Sequence, residues 1–254
     1  MRLISWNVNG IRAVQKKGFL AWLNKAQPDI LCLQETKATP DQLQDELLHI
    51  PGYTACWSSA EKKGYSGTVI YSKPVPLKVR HGFGLPRFDS EGRVVLAEYR
   101  DFTLLNIYFP NGKKNQERLA YKMDFYAATL EYCQKLQAAG QEIIICGDVN
   151  TAHQEIDLAH PRENADTSGF LPSERAWLDK LLAAGFVDTF RHFHSEPGQY
   201  TWWDYKTHSR ERNIGWRIDY FFVTTGLAKK LQEAFILNDV FGSDHCPLGI
   251  VIAG

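Results

Sequence analysis

The segment that most restricts the fold is Ile143-Ile144-Ile145-Cys146, an unbroken apolar run that stops at Gly147-Asp148-Val149-Asn150-Thr151. Four β-favouring or small apolar residues closed by a glycine predict a short strand buried on both faces, so whatever follows stands at its open end. Alternate side chains of an extended segment point the same way, and Asp148 and Asn150 are therefore expected to converge on one small target. A carboxylate beside an amide suits a hard cation or a phosphate. Gly, Asp and Asn are also common turn residues, and this segment alone fits a plain turn equally well.

The same pattern recurs along the chain. Leu3-Ile4-Ser5-Trp6 predicts a strand that stops at Asn7-Val8-Asn9-Gly10, and Asp29-Ile30-Leu31-Cys32-Leu33 predicts another that stops at Gln34-Glu35. Phe19, Leu20, Leu23 and Ala26 keep helical spacing up to Pro28. Thr39-Pro40-Asp41-Gln42 carries the N-cap, first-position proline and N3 glutamine of a helix start. Runs at 53–57, 68–72, 93–100 and 103–109 are β-like, punctuated by Gly and Pro as antiparallel hairpins require. A helix is predicted over 116–139, stopped by Gly140, and another around Trp177 and Leu181, ending at Gly185. The last quarter returns to β at 200–205, 216–224 and 248–253. These elements predict an α/β fold: a four-layer α/β sandwich of two packed, mainly antiparallel mixed β-sheets flanked by helices. Each half holds a strand ending in a carboxylate, a faint likeness short of a repeat.

At 254 residues and 44% apolar content the chain can bury a substantial core, and one domain is expected to span 1–254. Lys plus Arg equals Asp plus Glu at 29 each, so a nucleic-acid partner would be held by a local basic patch and not by a global field. Five cysteines without a C-x-x-C pair suggest neither a disulfide framework nor a structural zinc site, hence a reducing compartment. The chain opens in a strand-like segment without a leader pattern, and no apolar run is long enough for a bilayer. The expectation is an intracellular protein, cytoplasmic or nucleoid-associated, with no membrane partner.

Asn7 with Asn9, Glu35, Tyr108 with Asn111, Asp148 with Asn150, and Asp244-His245 all lie where apolar runs end. Gathered at one rim, these carboxylates, amides, phenol and imidazole suit phosphoryl chemistry. Oxygen donors hold Mg²⁺ or Mn²⁺, whereas zinc favours more His or Cys. His and Tyr can donate hydrogen bonds to a phosphate oxygen as negative charge builds.

The stretches ISWNVNGIRA, LCLQETK, YFPNG, ICGDVNTAHQEIDL, GWRIDYFF and GSDHCP resemble, in order, the signatures of the exonuclease III type of apurinic/apyrimidinic endonuclease. That family lies within the wider endonuclease/exonuclease/phosphatase superfamily, and the likeness runs over nearly the whole chain. It implies an Mg²⁺-dependent hydrolase, with Mn²⁺ able to substitute. The implied reaction cuts duplex DNA 5′ to an abasic site and leaves a 3′-OH and a 5′-deoxyribose phosphate. Exonuclease action from 3′ to 5′ and 3′-phosphatase action on blocked 3′ ends are implied too, with incision at deaminated bases such as 2′-deoxyuridine as a further expectation. A monomer is expected. A phosphatase or a nuclease without lesion preference, from the same superfamily, and a DNA-binding module without catalysis are the alternatives.

Carried over by position, the resemblance makes Glu35 the principal metal carboxylate, with Asn7 beside it and Asp244 at a second metal position. Asp148 would orient or deprotonate the attacking water, Asn150 would hold a phosphate oxygen, and both count among the metal-side residues. His245 would contact the scissile phosphate and Asp219 would fix its tautomer, while Tyr108 and Asn111 complete the anion-stabilising ring. Some relatives carry an acid where this chain has Asn9, which bears on metal affinity and stoichiometry. Trp202, Trp216 and Ile218 resemble the walls of a pocket for a flipped-out baseless sugar, with Trp203 a core position. Lys206 and Lys114 match positions that approach the duplex beside and opposite the lesion. Arg217, with Lys62, Lys63, Lys113, Arg118, Arg210 and Arg212, is a candidate backbone contact.

Overall fold

Along most strands both the odd and the even side chains are apolar, so both faces of each sheet have to be covered. The computed structural model describes residues 1–253. In chain order its strands are β1 (Arg2–Asn7), β2 (Ile30–Gln34), β3 (Thr54–Ser58), β4 (Thr68–Ser72), β5 (Lys78–His81), β6 (Val94–Glu98) and β7 (Thr103–Ile107). They continue with β8 (Ile143–Asp148), β9 (Phe186–Asp188), β10 (Trp202–Trp203), β11 (Gly215–Trp216), β12 (Asp219–Thr224), β13 (Leu231–Ile236) and β14 (Leu248–Ile252). One six-stranded sheet has the order β13-β14-β1-β2-β4-β3, a second β5-β6-β7-β8-β12-β9, and β10 and β11 form a separate ribbon.

Each large sheet is antiparallel except for one pair, β1 with β2 in the first and β7 with β8 in the second. A parallel pair cannot be closed by a hairpin. Helices Ile11–Gln15 and Phe19–Ala26 make the crossover from β1 to β2, and helix Gln116–Ala138 makes it from β7 to β8. This shared crossover is the physical content of the likeness between the halves.

Between the sheets Leu3, Ile30 and Cys32 meet Leu104, Ile144 and Cys146. Ile4, Leu31 and Leu33 face the other way, onto Phe19 and Leu23. Leu105, Ile143 and Ile145 likewise pack on Phe125, Tyr126 and Trp177 of the outer helices. The result is the expected four-layer α/β sandwich. Each such aliphatic side chain contributes about 1.5–3 kcal/mol by leaving water, and β8 has no exposed residue. A strand seated this firmly is a rigid base for whatever its end presents. All five cysteines are buried and free, and no helix among the described residues is long and apolar enough to cross a membrane.

Several expectations change. The helix start at Thr39 makes only half of its capping box, with Thr39 N donating to Gln42 Oε1 at 3.3 Å while Thr39 Oγ1 has no partner, and yields one 3₁₀ turn, Pro40–Gln42, because Leu43 returns to extended backbone at φ −109° and ψ 152°. The run at 200–205 shortens to β10, and that at 216–224 is divided into β11 and β12 by Arg217 and Ile218. Strands β5, β9 and β13 carry no clear alternation. In β13 a register shift between Leu231 and Glu233 interrupts the period of two.

Candidate active site

The ends of β1, β2 and β8, the start of β12 and the loop before β14 meet at one rim. Asn7 Nδ2 donates to Glu35 Oε2 at 3.0 Å and to Asp148 Oδ2 at 2.9 Å. Asp219 lies directly across from Asp148 in the β12–β8 pair. His245 Nδ1 sits 2.8 Å from Asp219 Oδ2, and its Nε2 is 3.9 Å from Asp148 Oδ2. Because a carboxylate only accepts, Nδ1 is the donor there, and that fixes the ring with Nε2 beside Asp148. Thr201 Oγ1 also donates to Asp219 Oδ2, at 2.7 Å.

Asp148 and Asn150 do converge, but not through an extended segment. Asn150 has φ 57°, in the left-handed region, and its backbone N–H donates to Asp148 Oδ1 at 2.8 Å while Nδ2 reaches Asp148 Oδ2 at 3.1 Å. The segment is therefore a turn, and the turn is what brings Asn150 onto Asp148. Glu35 (φ 56°) and Asn9 (φ 46°) adopt the same rare backbone just past strand ends, and for a glutamate that conformation is strained. Gly147, at φ 134°, lies so close to the Ile107 carbonyl that a Cβ would collide with it. Glycine thus lets the backbone leave the β7–β8 ladder and deliver Asp148 to the rim.

Electrostatics follow from burial. Burial, then Asp219, pushes the Asp148 carboxyl up, against the opposing pull of His245 and the N–H donors of Asn150 and Asn7. For His245 burial acts to lower the pKa, but Asp219 and then Asp148 outweigh it, and the imidazole is held protonated well above its ordinary range. Burial, then Glu35, keeps the Tyr108 phenol in its neutral, donating form.

Glu35, Tyr108, Asn111, Asp148, Asn150 and His245 border one cavity of about 290 Å³. Trp202, Trp216, Ile218 and Asp244 line it as well, with the Trp202 and His245 rings 6.5 Å apart. The two indoles stand 6.4 Å apart at 82°, and Trp202 Nε1 is tied to Asp244 Oδ2 at 3.1 Å. Trp203 is core, 3% exposed. Asn7 turns its N–H₂ toward the carboxylates while its oxygen accepts from Asn9 N at 2.9 Å, so it spaces Glu35 and Asp148. Asp219 Oδ1 is buried without a hydrogen-bond partner, and ligand atoms of Asp148, Asp219 and His245 lie within 4.8 Å of one another. A protonated His245 offers no lone pair, whereas Glu35 and Asp148, held 3.0 and 2.9 Å from the same Asn7 Nδ2 at the cavity wall, form an all-oxygen carboxylate pair that fits a hard divalent cation.

Other expectations are redistributed. Lys114 and Lys206 are exposed and stay outside the cavity lining. Arg217 is not at the surface: it is 1% exposed, with Nε on Asp157 Oδ1 at 2.8 Å and Nη2 on Asp188 Oδ2 at 2.7 Å. Two carboxylates consume its guanidinium, so it cannot meet a DNA backbone. Arg118 is likewise paired, with Glu91 at 2.7 Å. Sequence reasoning missed Lys37, whose Nζ lies 2.9 Å from Glu35 Oε1 and also donates to Asn9 Oδ1. It also missed the wholly buried Lys122–Glu174 pair at 2.7 Å, which holds the Asn150 carbonyl through Lys122 Nζ. Lys37 stood inside a quoted motif, whereas nothing in the helical pattern marks Lys122 as buried.

The sequence pattern described as "Endonuclease/Exonuclease/phosphatase family" matches residues 4–245. The chain is 46% identical over 254 residues to an exodeoxyribonuclease of Bacillus subtilis (strain 168), covering 99% of each. It is 42% identical over 256 residues to the DNA repair nuclease APEX1 of Danio rerio, covering 100% of this chain and 82% of that one. Among solved structures, an AP endonuclease from Archaeoglobus fulgidus superposes with a TM-score of 0.91 at 30% identity, over 100% of both chains. The 3′-5′ exonuclease NExo from Neisseria meningitidis does so with a TM-score of 0.92 at 29% identity, again over 100% of both. With the pattern running from β1 to His245 and the curated likeness running over almost the full chain, the protein belongs to the endonuclease/exonuclease/phosphatase family, in its exonuclease III type apurinic/apyrimidinic endonuclease branch.

Proposed function

We propose that the chain is a DNA repair hydrolase that cuts the phosphodiester 5′ to an abasic site, leaving a 3′-OH and a 5′-deoxyribose phosphate, and that it trims or dephosphorylates blocked 3′ ends. The observation that carries this reading is one small cavity lined both by Glu35, Asp148 and His245 and by Trp202 and Trp216. The relatives' names point the same way, to exodeoxyribonuclease, DNA repair nuclease and AP endonuclease. The chain would act as one catalytic domain and as a monomer.

Asp148 accepts the proton of the attacking water; a carboxyl raised by burial and by Asp219 is better matched to that work near neutral pH. Asn150 spends its Nδ2 hydrogens on Asp148 Oδ2 and the Phe109 carbonyl while its Oδ1 accepts from Asn111 Nδ2 at 2.9 Å, so it holds both side chains in place and leaves the second Asn111 N–H for a phosphate oxygen. Protonated His245, oriented by Asp219, and the neutral Tyr108 phenol donate to the phosphate as charge accumulates. Glu35 and Asp148 would hold Mg²⁺, or Mn²⁺ in its place, which when bound supplies positive charge to the phosphate oxygens. Trp202, Trp216 and Ile218 receive the sugar, and Lys114 and Lys206 flank the duplex from exposed loops. A baseless sugar has no stacking left to lose, so extruding it costs less than the few kcal/mol of an intact nucleotide.

The test is a panel of labelled duplexes carrying an abasic site, 2′-deoxyuridine, a 3′-phosphate nick or no lesion, with and without Mg²⁺. Incision at the abasic site that needs Mg²⁺ and is lost in Asp148→Asn and His245→Ala, while both variants still bind the lesion, is the expected result. Equal cutting of intact and abasic duplex, or undiminished turnover in either variant, overturns the reading. The 2′-deoxyuridine lane decides the finer expectation for deaminated bases.

A further inference from the structure

Lys113 lies over the cradle in which the baseless sugar is proposed to sit. Its Nζ is 5.0 Å from the centroid of the Trp202 ring and 5.3 Å from that of Trp216, and the residue borders the same cavity as Asp148 and His245. The backbone is turned to place it there, since Lys113 N donates to Asn111 Oδ1 at 2.8 Å. Although the residue as a whole is exposed at the rim, its ammonium end reaches back over the indoles. Among the described residues no carboxylate pairs with Nζ. Desolvation lowers its pKa, and the attraction of Asp204, Asp148 and Glu174 does not fully offset this. The two indole faces compensate in part as cation–π partners. Most other site cations are consumed: Lys37 by Glu35, Lys122 by Glu174, Arg118 by Glu91 and Arg217 by Asp157 and Asp188. Lys113 holds no ion pair among the described residues and is a primary amine facing the substrate cavity.

An abasic sugar equilibrates between a closed hemiacetal and an open chain with an aldehyde at C1′. Phosphodiester hydrolysis leaves that carbon untouched, whereas a desolvated lysine is the usual protein partner for such a carbonyl. We propose that Lys113 forms a Schiff base with C1′ of the ring-opened abasic sugar, giving the site a second, metal-independent activity that cuts on the 3′ side of the lesion by β-elimination. This rests on the reading that the cavity receives a baseless sugar.

The neutral Nζ lone pair attacks C1′, and the resulting carbinolamine loses its hydroxyl as water to leave an iminium. That iminium acidifies C2′, which gives a proton to water and leaves an enamine. The enamine pair then forms the C2′=C3′ bond as the C3′–O bond breaks, and the 3′ phosphate departs with the bonding electrons. Water adds back at C1′, freeing the Lys113 amine and an α,β-unsaturated aldehyde. No oxidant or reductant is consumed.

The experiment incubates the full chain with labelled abasic duplex in EDTA plus sodium cyanoborohydride, which reduces an imine to a stable amine. A covalent protein–DNA band is expected, and tandem mass spectrometry of the digested wild-type adduct should place it on Lys113. Lys113→Arg, whose guanidinium does not form such an imine, should lower the band about tenfold or more, whereas Lys78→Ala and Lys229→Ala, exposed lysines away from the cavity, retain it. No band, an adduct mapped to another amine, or a Lys113→Arg band equal to wild type overturns the inference. The mapping uses wild-type protein and stands whether or not the variant folds. A parallel reaction with Mg²⁺ and no borohydride separates the failures: hydrolytic incision without an adduct removes only the Schiff base, while neither incision nor lesion binding removes the reading of the cavity as well.

Discussion

Replacing Arg217 by Met separates a DNA contact from a buried ion cluster. In the structure the guanidinium reaches Asp157 Oδ1 at 2.8 Å and Asp188 at 3.2 and 2.7 Å, and it lies 4.4 Å over the Tyr220 ring. Burial works against its charge, but Asp188 and Asp157 outweigh that and raise its pKa further. Removing one partner of a buried pair leaves the others uncompensated, at a typical cost of about 3–5 kcal/mol. Here the lower end applies. Arg191 still holds Asp157 at 2.7 Å, and Asp188 still accepts from the Phe190 and Arg191 N–H groups. A loss of about 3 kcal/mol should lower the melting temperature of a chain this long by roughly 6–12 °C. Arg217 also lies between two cavity walls, Trp216 and Ile218, so abasic-site kcat/KM should fall with stability. The salt dependence of duplex binding should not change, whereas losing a true phosphate contact reduces the slope by about one. Equilibrium urea unfolding and binding titrations at several salt concentrations measure both. Stability within about 1 kcal/mol of wild type, together with a slope reduced by one, would refute the buried-cluster argument.

Three other perturbations follow from named contacts. Glu91 is partly buried, which alone would raise its pKa, but hydrogen bonds and charge from Arg118 and Arg93 hold it at about 2 against an unperturbed 4.5. Its contribution, at most about 3 kcal/mol, is therefore complete above the unfolded value and lost as pH falls from 4.5 toward 2. Glu91→Gln should flatten the stability profile across that window, and an unaltered slope there would remove the argument. Gly147→Ala forces a side chain into φ 134° and against the Ile107 carbonyl, so a loss of about 1–3 kcal/mol or more is expected in denaturant midpoint, with incision reduced because Asp148 is next in the chain. A midpoint equal to wild type would show that the loop has slack. Trp216→Ala removes a cavity wall and should reduce abasic-site kcat/KM by roughly 10–200-fold while leaving any cutting of intact duplex nearly unchanged; an equal loss on both substrates would make Trp216 merely structural.

Local pattern settles what depends on neighbours in the chain. The unbroken apolar runs of β2 and β8 announced buried strands, the run Leu3-Ile4-Ser5-Trp6 announced β1, and a carboxylate or amide after each marked the rim where Asn7, Glu35 and Asp148 gather. The motif strings placed Trp202, Trp216 and His245 in the same cavity although dozens of residues separate them from Glu35 and Asp148. Contacts between distant segments were not legible. Thr39 has every local mark of a helix start, yet the chain turns away at Leu43. An arginine between Trp216 and Ile218 reads as a surface cation until Asp157 and Asp188 are found on either side of it. Lys113, Lys37 and Lys122 are alike as letters, but one lies over two indoles, one against Glu35 and one in a closed ion pair.

The sequence by itself determined the strands, their two-sided burial and the chemical kinds of residue at their ends, because those follow from side-chain period and composition. Only the tertiary structure decided which charges are free and which are spent, since a lysine or arginine is defined by the partner that folding brings to it and by the water that folding removes. The Trp6 Nε1–H on the His245 carbonyl, 3.1 Å apart across 239 residues of chain, is a contact no local pattern encodes.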